Sequence, residues 1–156
     1  MKRSQFYSQI FIYALALILT SFILIYGYNA ITNIQNKAKQ VSCIKLQNDM
    51  KNSIDAIIGD FGSVKRKDFE LCGSFTQICF VESFDKPSLQ ADTDPIIKDS
   101  VLSNSGKNVF LVDNVAKDSF YIGKISVEPD VLCIKAASSK ISLRLESRGN
   151  FVELSE

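Results

Sequence analysis

The chain has 156 residues, with 18 basic and 17 acidic side chains and a formal net charge of +1. So small a net charge, with scattered lysines, lacks the basic footprint of a nucleic-acid-binding protein, and we expect no nucleic-acid partner. Histidine is absent, which excludes imidazole catalysis, histidine-ligated metals and histidine pH switches.

The first element is an apolar segment from Phe6 to Tyr26, inside a longer stretch without charge between Arg3 and Lys37. A hydrocarbon core of roughly 30 Å needs roughly 20 helical residues to cross it. Apolar side chains occupy every face of the predicted helix, which suits lipid or a bundle of identical helices. We predict a transmembrane helix over residues 5–28, after a basic leader over residues 1–4.

Charge near the ends of this segment predicts its orientation. Lys2, Arg3 and the α-amino group lie at its start, whereas Lys37 and Lys39 lie farther beyond its end. Positive charge collects on the cytoplasmic side of membrane helices. We therefore expect a cytoplasmic N-terminus, a single-pass anchor in the cell membrane and an extracytoplasmic C-terminal domain.

The end of the apolar segment predicts that the mature protein keeps it. A signal-peptidase site places small residues shortly after an apolar core of about 7–15 residues. Here the core is longer, and tyrosines occur where small residues should be, in Tyr26-Gly27-Tyr28.

Helical character continues over residues 29–58, which contain neither proline nor glycine. At about 100° per residue this segment carries two apolar stripes on nearly opposite faces. We expect the first to face neighbouring helices or the membrane surface. The second should pack, with Cys43, on the chain's own domain, and Gly59–Gly62 should end the helix. The first stripe comprises Ile31, Ile34, Ala38 and Val41, and the second comprises Leu46, Met50, Ile54 and Ile57.

Residues 63–156 have the composition of a β domain. Asp68–Cys72 and Ile78–Phe84 flank a turn at Gly73–Thr76 and predict a hairpin. Connections too short for crossover helices predict antiparallel pairing of all strands. The further predicted strands are Val109–Val112, Ser119–Val127, Val131–Ala137, Ile141–Glu146 and Phe151–Leu154.

An irregular loop is predicted over residues 85–108, which are polar and contain two prolines. Within it, Asp94-Pro95 is able to cap and begin a short helix, since proline is tolerated at a first helical position. The predicted fold is therefore α+β, a long N-terminal hydrophobic and amphipathic helix packed on a C-terminal antiparallel β-sheet domain.

The N-terminus Lys2-Arg3-Ser4-Gln5, followed by the apolar helix, resembles the class III signal of archaeal type IV pilins and archaellins. The layout of leader, apolar half-helix, amphipathic half-helix and β domain is also similar to that of type IV pilins. The resemblance implies cleavage between Ser4 and Gln5 by a prepilin peptidase. It also implies packing of the retained helix against copies of itself or other pilin-like subunits.

One position departs from bacterial pilins, which usually carry glutamate at the fifth mature residue. That residue would be Gln9 here, which is uncharged, so the resemblance is to the archaeal type. The alternative is an uncleaved signal anchor in which Lys2 and Arg3 only set the orientation, and whose outer domain binds a ligand or partner.

Four cysteines in a small domain outside a membrane predict two disulfides. We favour Cys72 with Cys79, across the predicted hairpin, and Cys43 with Cys133, joining helix to sheet. The alternative pairs Cys43 with Cys72 and Cys79 with Cys133. Zinc binding is disfavoured, because no pair has the spacing of a zinc knuckle and no histidine completes one.

No catalytic, metal or cofactor site is expected. The acidic loop with Asp85, Asp92, Asp94 and Asp99 lacks the glycine and distal glutamate of a calcium loop. No Ser-His dyad is possible without histidine. We therefore expect a structural or binding protein rather than an enzyme.

Overall fold

The computed structural model describes residues 3–82 and 93–156, and side chains from Ile10 onward within those ranges. The elements that the described residues form are α1 (Arg3–Asp55), β1 (Val64–Glu70), β2 (Gln77–Val81), α2 (Pro95–Leu102), β3 (Val109–Asp113), β4 (Val115–Phe120), β5 (Ile125–Val127), β6 (Val131–Lys135), β7 (Lys140–Ser147) and β8 (Val152–Ser155). The predicted α+β class is confirmed.

The chain divides into two compact units, of which the first ends at Lys39 and the second runs from Gln40 to Glu156. The first unit is the N-terminal part of α1. Its helix continues through Gly27 without a break, and no side chain from Ile10 to Lys39 is buried.

The second unit begins with the last turns of α1, which lie against the β domain as predicted. Leu46, Met50 and Ile54 are each no more than 3% exposed. They lie in one core cluster with apolar residues of both sheets. Regular α-helix ends at Asp55, before the predicted end at Ile58, because tighter turns with i→i+3 hydrogen bonds follow.

The described part of the β domain forms two four-stranded sheets rather than the single sheet expected. Sheet 1 has the strand order β1-β7-β8-β5, and sheet 2 has the order β4-β3-β2-β6. Along β7 the buried residues alternate with outward-facing ones, so sheet 1 has one face in the core and one in solvent. The inner faces of both sheets and α1 enclose the main core.

Sheet 2 is covered on its other face by α2. Cys79, Phe110 and Val112 point to that face and form a second buried cluster with Ile97 of α2. The predicted cap of this helix is confirmed, since Asp94 accepts a hydrogen bond from the backbone N–H of Ile96 at 2.8 Å.

The predicted hairpin between the first two strands is wrong. β1 pairs with β7 in sheet 1, whereas β2 lies between β3 and β6 in sheet 2. Both faces of β2 are buried, so it occupies an interior position with a neighbour on each side. Of the predicted strand Ile78–Phe84, residues 83 and 84 lie outside the described residues.

The predicted strand Ser119–Val127 is also wrong, because it is divided between the two sheets. β4 ends at Phe120 in sheet 2, and β5 begins at Ile125 in sheet 1. The Asn108 side chain holds the crossing, since it accepts from Ile122 N–H at 3.1 Å and donates to Gly123 C=O at 2.6 Å. Gly123 has φ +124°, and a Cβ there would lie 3.2 Å from Ile54 Cγ2.

Among the strands that the described residues form, antiparallel pairing holds for every pair except one. β5 and β8 are parallel, because β6 and β7 intervene between them and return the chain to the same end of sheet 1. The expectation of antiparallel pairing throughout is wrong at this pair. Parallel strands need a long crossover connection, which is usually a helix. Here β6 and β7 form that connection.

Truncating the buried face of α1 should destabilise the domain. We expect Ile54→Ala to lower the free energy of unfolding by about 2 to 5 kcal/mol, since it empties a fully buried site. Ile44→Ala, at a 57% exposed position on the same helix, is the matched control and should change it by no more than about 0.5 kcal/mol. Pulse proteolysis of the full chain in urea measures both values, and equal effects would contradict this packing.

Candidate functional site

The first candidate surface is the exposed apolar part of α1. From Ile10 onward this helix contains an 18-residue window of mean hydropathy 2.4 with none of the window buried. By length and composition it is able to cross a membrane, and the described residues contain one such helix. Every face is apolar from Ile10 to Ile25, so the side chains do not distinguish one face of the helix as a binding surface in that stretch.

The hydroxyl groups of Thr20 and Ser21, in this segment, are satisfied within the helix. Thr20 Oγ1 donates to the Ala16 carbonyl at 2.7 Å, and Ser21 Oγ donates to the Leu17 carbonyl at 2.8 Å. In hydrocarbon an unpaired polar group costs several kcal/mol, so these bonds make the two polar side chains acceptable to lipid.

The predicted processing residues lie at the start of the chain. Lys2 lies outside the described residues, and for Arg3, Ser4 and Gln5 only the helical backbone is described. Cleavage between Ser4 and Gln5 therefore stays a prediction.

The two disulfides lie in the second unit and follow the alternative pairing. Cys43 bonds Cys72, and Cys79 bonds Cys133. The favoured pairs, Cys72–Cys79 and Cys43–Cys133, are wrong. Since β1 and β2 belong to different sheets, Cys72 and Cys79 do not face each other across a hairpin.

Each disulfide follows from the position of its residues. Cys79 and Cys133 are direct cross-strand neighbours in β2 and β6, with Cα atoms 4.0 Å apart. Cys43 faces the domain, as predicted, and reaches Cys72 just past the end of β1, with Cα atoms 4.8 Å apart. The sequence separations of 29 and 54 residues each correspond to about 4 kcal/mol of stabilisation in the chain-entropy model.

The predicted acidic loop does not form a described cation site. Asp94 is used structurally, because its second carboxylate oxygen accepts from the Ala116 N–H at 2.9 Å. Asp85 and Asp92 lie outside the described residues. Within residues 3–82 and 93–156, no cluster of three or more histidine, cysteine, aspartate or glutamate side chains is able to hold a metal ion.

A groove that the sequence did not predict lies on the outer face of sheet 2 beside α2. Its volume is about 840 Å³, and the disulfide between buried Cys79 and exposed Cys133 forms part of its wall. The remaining lining residues are Gln77, Thr93, Asp94, Pro95, Ile97, Val112, Asn114, Val115, Pro129, Asp130 and Val131. No sequence motif marks it, because its walls come from segments far apart in the chain.

A second, charged groove of about 560 Å³ lies between α1 and β1. Its charged lining residues include Lys45, Asp49, Lys67 and Asp68. Lys67 Nζ donates to Ser53 Oγ at 2.7 Å and lies 5.4 Å from the centroid of the Phe69 ring. These contacts fix Lys67 in a structural position over the core.

The solvent face of sheet 1 carries a network of ion pairs. Arg148 contacts Glu146 at 2.9 Å and Glu153 at 2.7 Å, and Arg144 contacts Glu146 at 3.0 Å. The hydrogen bond with Glu153, followed by the attraction of Glu146, raises the pKa of Arg148. Exposed pairs of this kind contribute little to stability, and they keep this face soluble.

No family model, no curated protein and no solved structure matches this chain. The molecule's own features therefore carry the functional argument. An exposed apolar helix joined to a domain with two disulfides is compatible with a membrane-anchored extracellular domain.

The disulfide pairing predicts a specific set of peptides. No lysine or arginine lies between Cys72 and Cys79, so trypsin does not separate them, whereas chymotrypsin cleaves after Phe75. Non-reducing chymotryptic mapping of membrane-extracted protein should give Cys43 linked to Cys72 and Cys79 linked to Cys133. Linkage of Cys72 to Cys79 would contradict the structure, and alkylation of all four cysteines without reductant would contradict an oxidising compartment.

Proposed function

We propose that this chain is a single-pass, membrane-anchored, pilin-like structural subunit whose β domain is displayed outside the cell. The proposal rests on the contrast between the two parts of α1. Its N-terminal part presents apolar side chains to the surroundings on every face, and its C-terminal turns are built into a disulfide-bonded domain.

In this proposal a prepilin peptidase removes residues 1–4 on the cytoplasmic side and leaves Gln5 as the first residue. The apolar helices then pack laterally against copies of themselves or against other pilin-like subunits. Uncharged helices pack without a charged partner, and Gln9 would find a hydrogen bond among its neighbours. The domain needs no further chemistry for this role, and we assign it no enzymatic activity.

The Cys43–Cys72 bond supports a mechanical role for the second unit. It links the last turns of α1 to the end of β1, so a pull on the helix is passed covalently into sheet 1. Because Leu46, Met50 and Ile54 are also buried there, packing over about two turns holds the helix as well.

The groove on sheet 2 favours a second candidate function, a signal-anchored binding domain that is not a filament subunit. A volume of about 840 Å³ falls within the size range of small-molecule sites, roughly 300–1,000 Å³. In that case the leader would remain and the helix would act only as an anchor.

Processing distinguishes the two candidates. We expect intact mass and N-terminal sequencing of the membrane-extracted protein to show Gln5 as the first residue. Ser4→Phe should block the cut, because the resemblance implies a small residue before it. Ser8→Phe, a serine beyond the junction, is the matched control and should still be cut. A mature chain that begins at Met1 would refute the pilin-like proposal and leave the anchored binding domain.

Orientation is tested by labelling intact cells with a membrane-impermeant amine reagent. The exposed side chain of Lys140 should be labelled in intact cells, because the β domain is proposed to lie outside. Lys2, in an uncleaved Ser4→Phe chain, should be labelled only after lysis. Labelling of Lys140 only after lysis would contradict the proposed topology.

A further inference from the structure

The edge strand β6 pairs with a neighbour on one side only, because sheet 2 has the strand order β4-β3-β2-β6. Two hydrogen bonds flank its pairing with β2. The Glu82 N–H donates to the Asp130 carbonyl at 3.0 Å, and the Ala136 N–H donates to the Thr76 carbonyl at 2.8 Å. Residues that bond across an antiparallel pair alternate with residues that do not. The even-numbered residues of β6 therefore bond to β2, and the odd-numbered ones point their backbone groups away from it.

Val131, Cys133 and Lys135 thus direct their backbone N–H and C=O groups to the unpaired side of β6. No strand formed by residues 3–82 or 93–156 lies on that side. Cys133 and Lys135 are exposed, and Val131 is half-buried. We call the N–H and C=O groups of these three residues the free edge.

The other edges of the sheets that the described residues form are protected in ways that β6 lacks. Natural sheets protect their edges with charges, bulges, short strands or covering elements. β1 carries charged residues at four successive positions, from Lys65 to Asp68. The pairing of β4 with β3 contains a register shift, and α2 lies against β4. β5 has only three residues. By contrast, β6 has five residues, pairs without a register shift and carries one charged side chain, Lys135.

The Cys79–Cys133 disulfide holds the free edge in place. Cys133 lies in the middle of β6, and its bond to Cys79 joins the edge strand covalently to β2. An edge strand held in this way does not fray or slip in register, so its hydrogen-bonding groups are arranged before a partner arrives. Such preorganisation reduces the entropy lost on binding.

The outer face of sheet 2 indicates which side chains an added strand would carry. Alternate side chains of a strand point to opposite faces of its sheet. On the outer face, the side chains of an added strand would lie beside Val131, the Cys79–Cys133 disulfide and Lys135. Val131 and the disulfide line the groove and are apolar, so they favour β-branched neighbours. Lys135 favours a carboxylate beside it.

We propose that the free edge binds an extended segment of a partner protein, which continues sheet 2 as an additional strand. Main-chain hydrogen bonds supply the affinity, and the side chains along the outer face supply the preference for particular sequences. The segment carries β-branched residues beside Val131 and the disulfide, and an acidic residue beside Lys135. This interaction concerns only the second unit, so it does not depend on leader cleavage or on how α1 associates.

The test uses a short fluorescein-labelled peptide in which valine and threonine alternate, with one glutamate near an end. Two versions, with the glutamate at opposite ends, cover the two possible strand directions. N-methylation of every second residue leaves one hydrogen-bonding edge and prevents the peptide from pairing with itself. Fluorescence anisotropy should show saturable binding to the full-length protein in detergent micelles. A peptide that is N-methylated at every residue is the matched control and should not bind, because neither of its edges donates hydrogen bonds.

Amide hydrogen exchange in the same samples locates the bound peptide. With saturating peptide, the amides of Val131, Cys133 and Lys135 should exchange at least about tenfold more slowly. The amides of Arg66 and Asp68, on the unpaired side of β1, should not change. Protection on β1 without protection on β6 would overturn the proposal.

Substitution of Lys135 separates its backbone from its side chain. Lys135→Pro removes one N–H of the free edge, and proline is tolerated on an edge strand where that N–H faces solvent. We expect binding to weaken by about tenfold or more. Lys135→Ala keeps the N–H and should weaken binding by no more than about threefold, since exposed charge pairs contribute little. Equal affinities of the two variants would contradict binding through the backbone.

Three further outcomes would overturn the proposal. The first is no saturable binding of the half-methylated peptides up to about 1 mM, and the second is equal binding of the fully methylated peptide. The third is protection of the β6 amides that rises with protein concentration in the absence of peptide, which would assign the free edge to a second copy of this chain. All three are measured on the unsubstituted protein, so they hold even if Lys135→Pro fails to fold.

Discussion

The packing of the last turns of α1 against two sheets is the interaction on which the rest of the structure depends. Leu46, Met50 and Ile54 lie in one buried cluster with both sheets, so the helix completes a core that neither sheet closes alone. Ile54 also lies against Gly123, where the chain crosses from one sheet to the other. A larger residue at that crossing would meet the helix, so the helix and the topology constrain each other.

One helix thus serves two environments, and its side chains change accordingly. In the first unit no described side chain is buried, whereas in the second unit one face of α1 is buried to within a few per cent. This difference in burial arises because the apolar stripe beyond Ile44 lies on a nearly opposite face of the helix from the stripe before it. An exposed apolar helix is stable only in lipid or against other helices, which is why the proposed function begins from this part of the molecule.

The two disulfides stabilise different layers of the domain. Cys43–Cys72 joins the helical layer to sheet 1, and Cys79–Cys133 joins neighbouring strands of sheet 2. Both bonds suit an oxidising compartment, and the charged outer face of sheet 1 suits water. The groove on sheet 2 is a separate feature that an assembly role does not require.

Local patterns in the sequence determined the elements whose structure depends on near neighbours. The helical period predicted which side chains of α1 are buried, Asp94-Pro95 predicted the start of α2, and alternation predicted β7. Only the tertiary structure decided which strand β1 pairs with, where the predicted strand Ser119–Val127 divides and how the cysteines pair. Each of these depends on residues far apart in sequence, and the turn signal at Gly73–Thr76 carries no information about which sheet the chain enters next. A hairpin and a crossing between sheets begin with the same turn residues, and the burial of both faces of β2 selects the crossing.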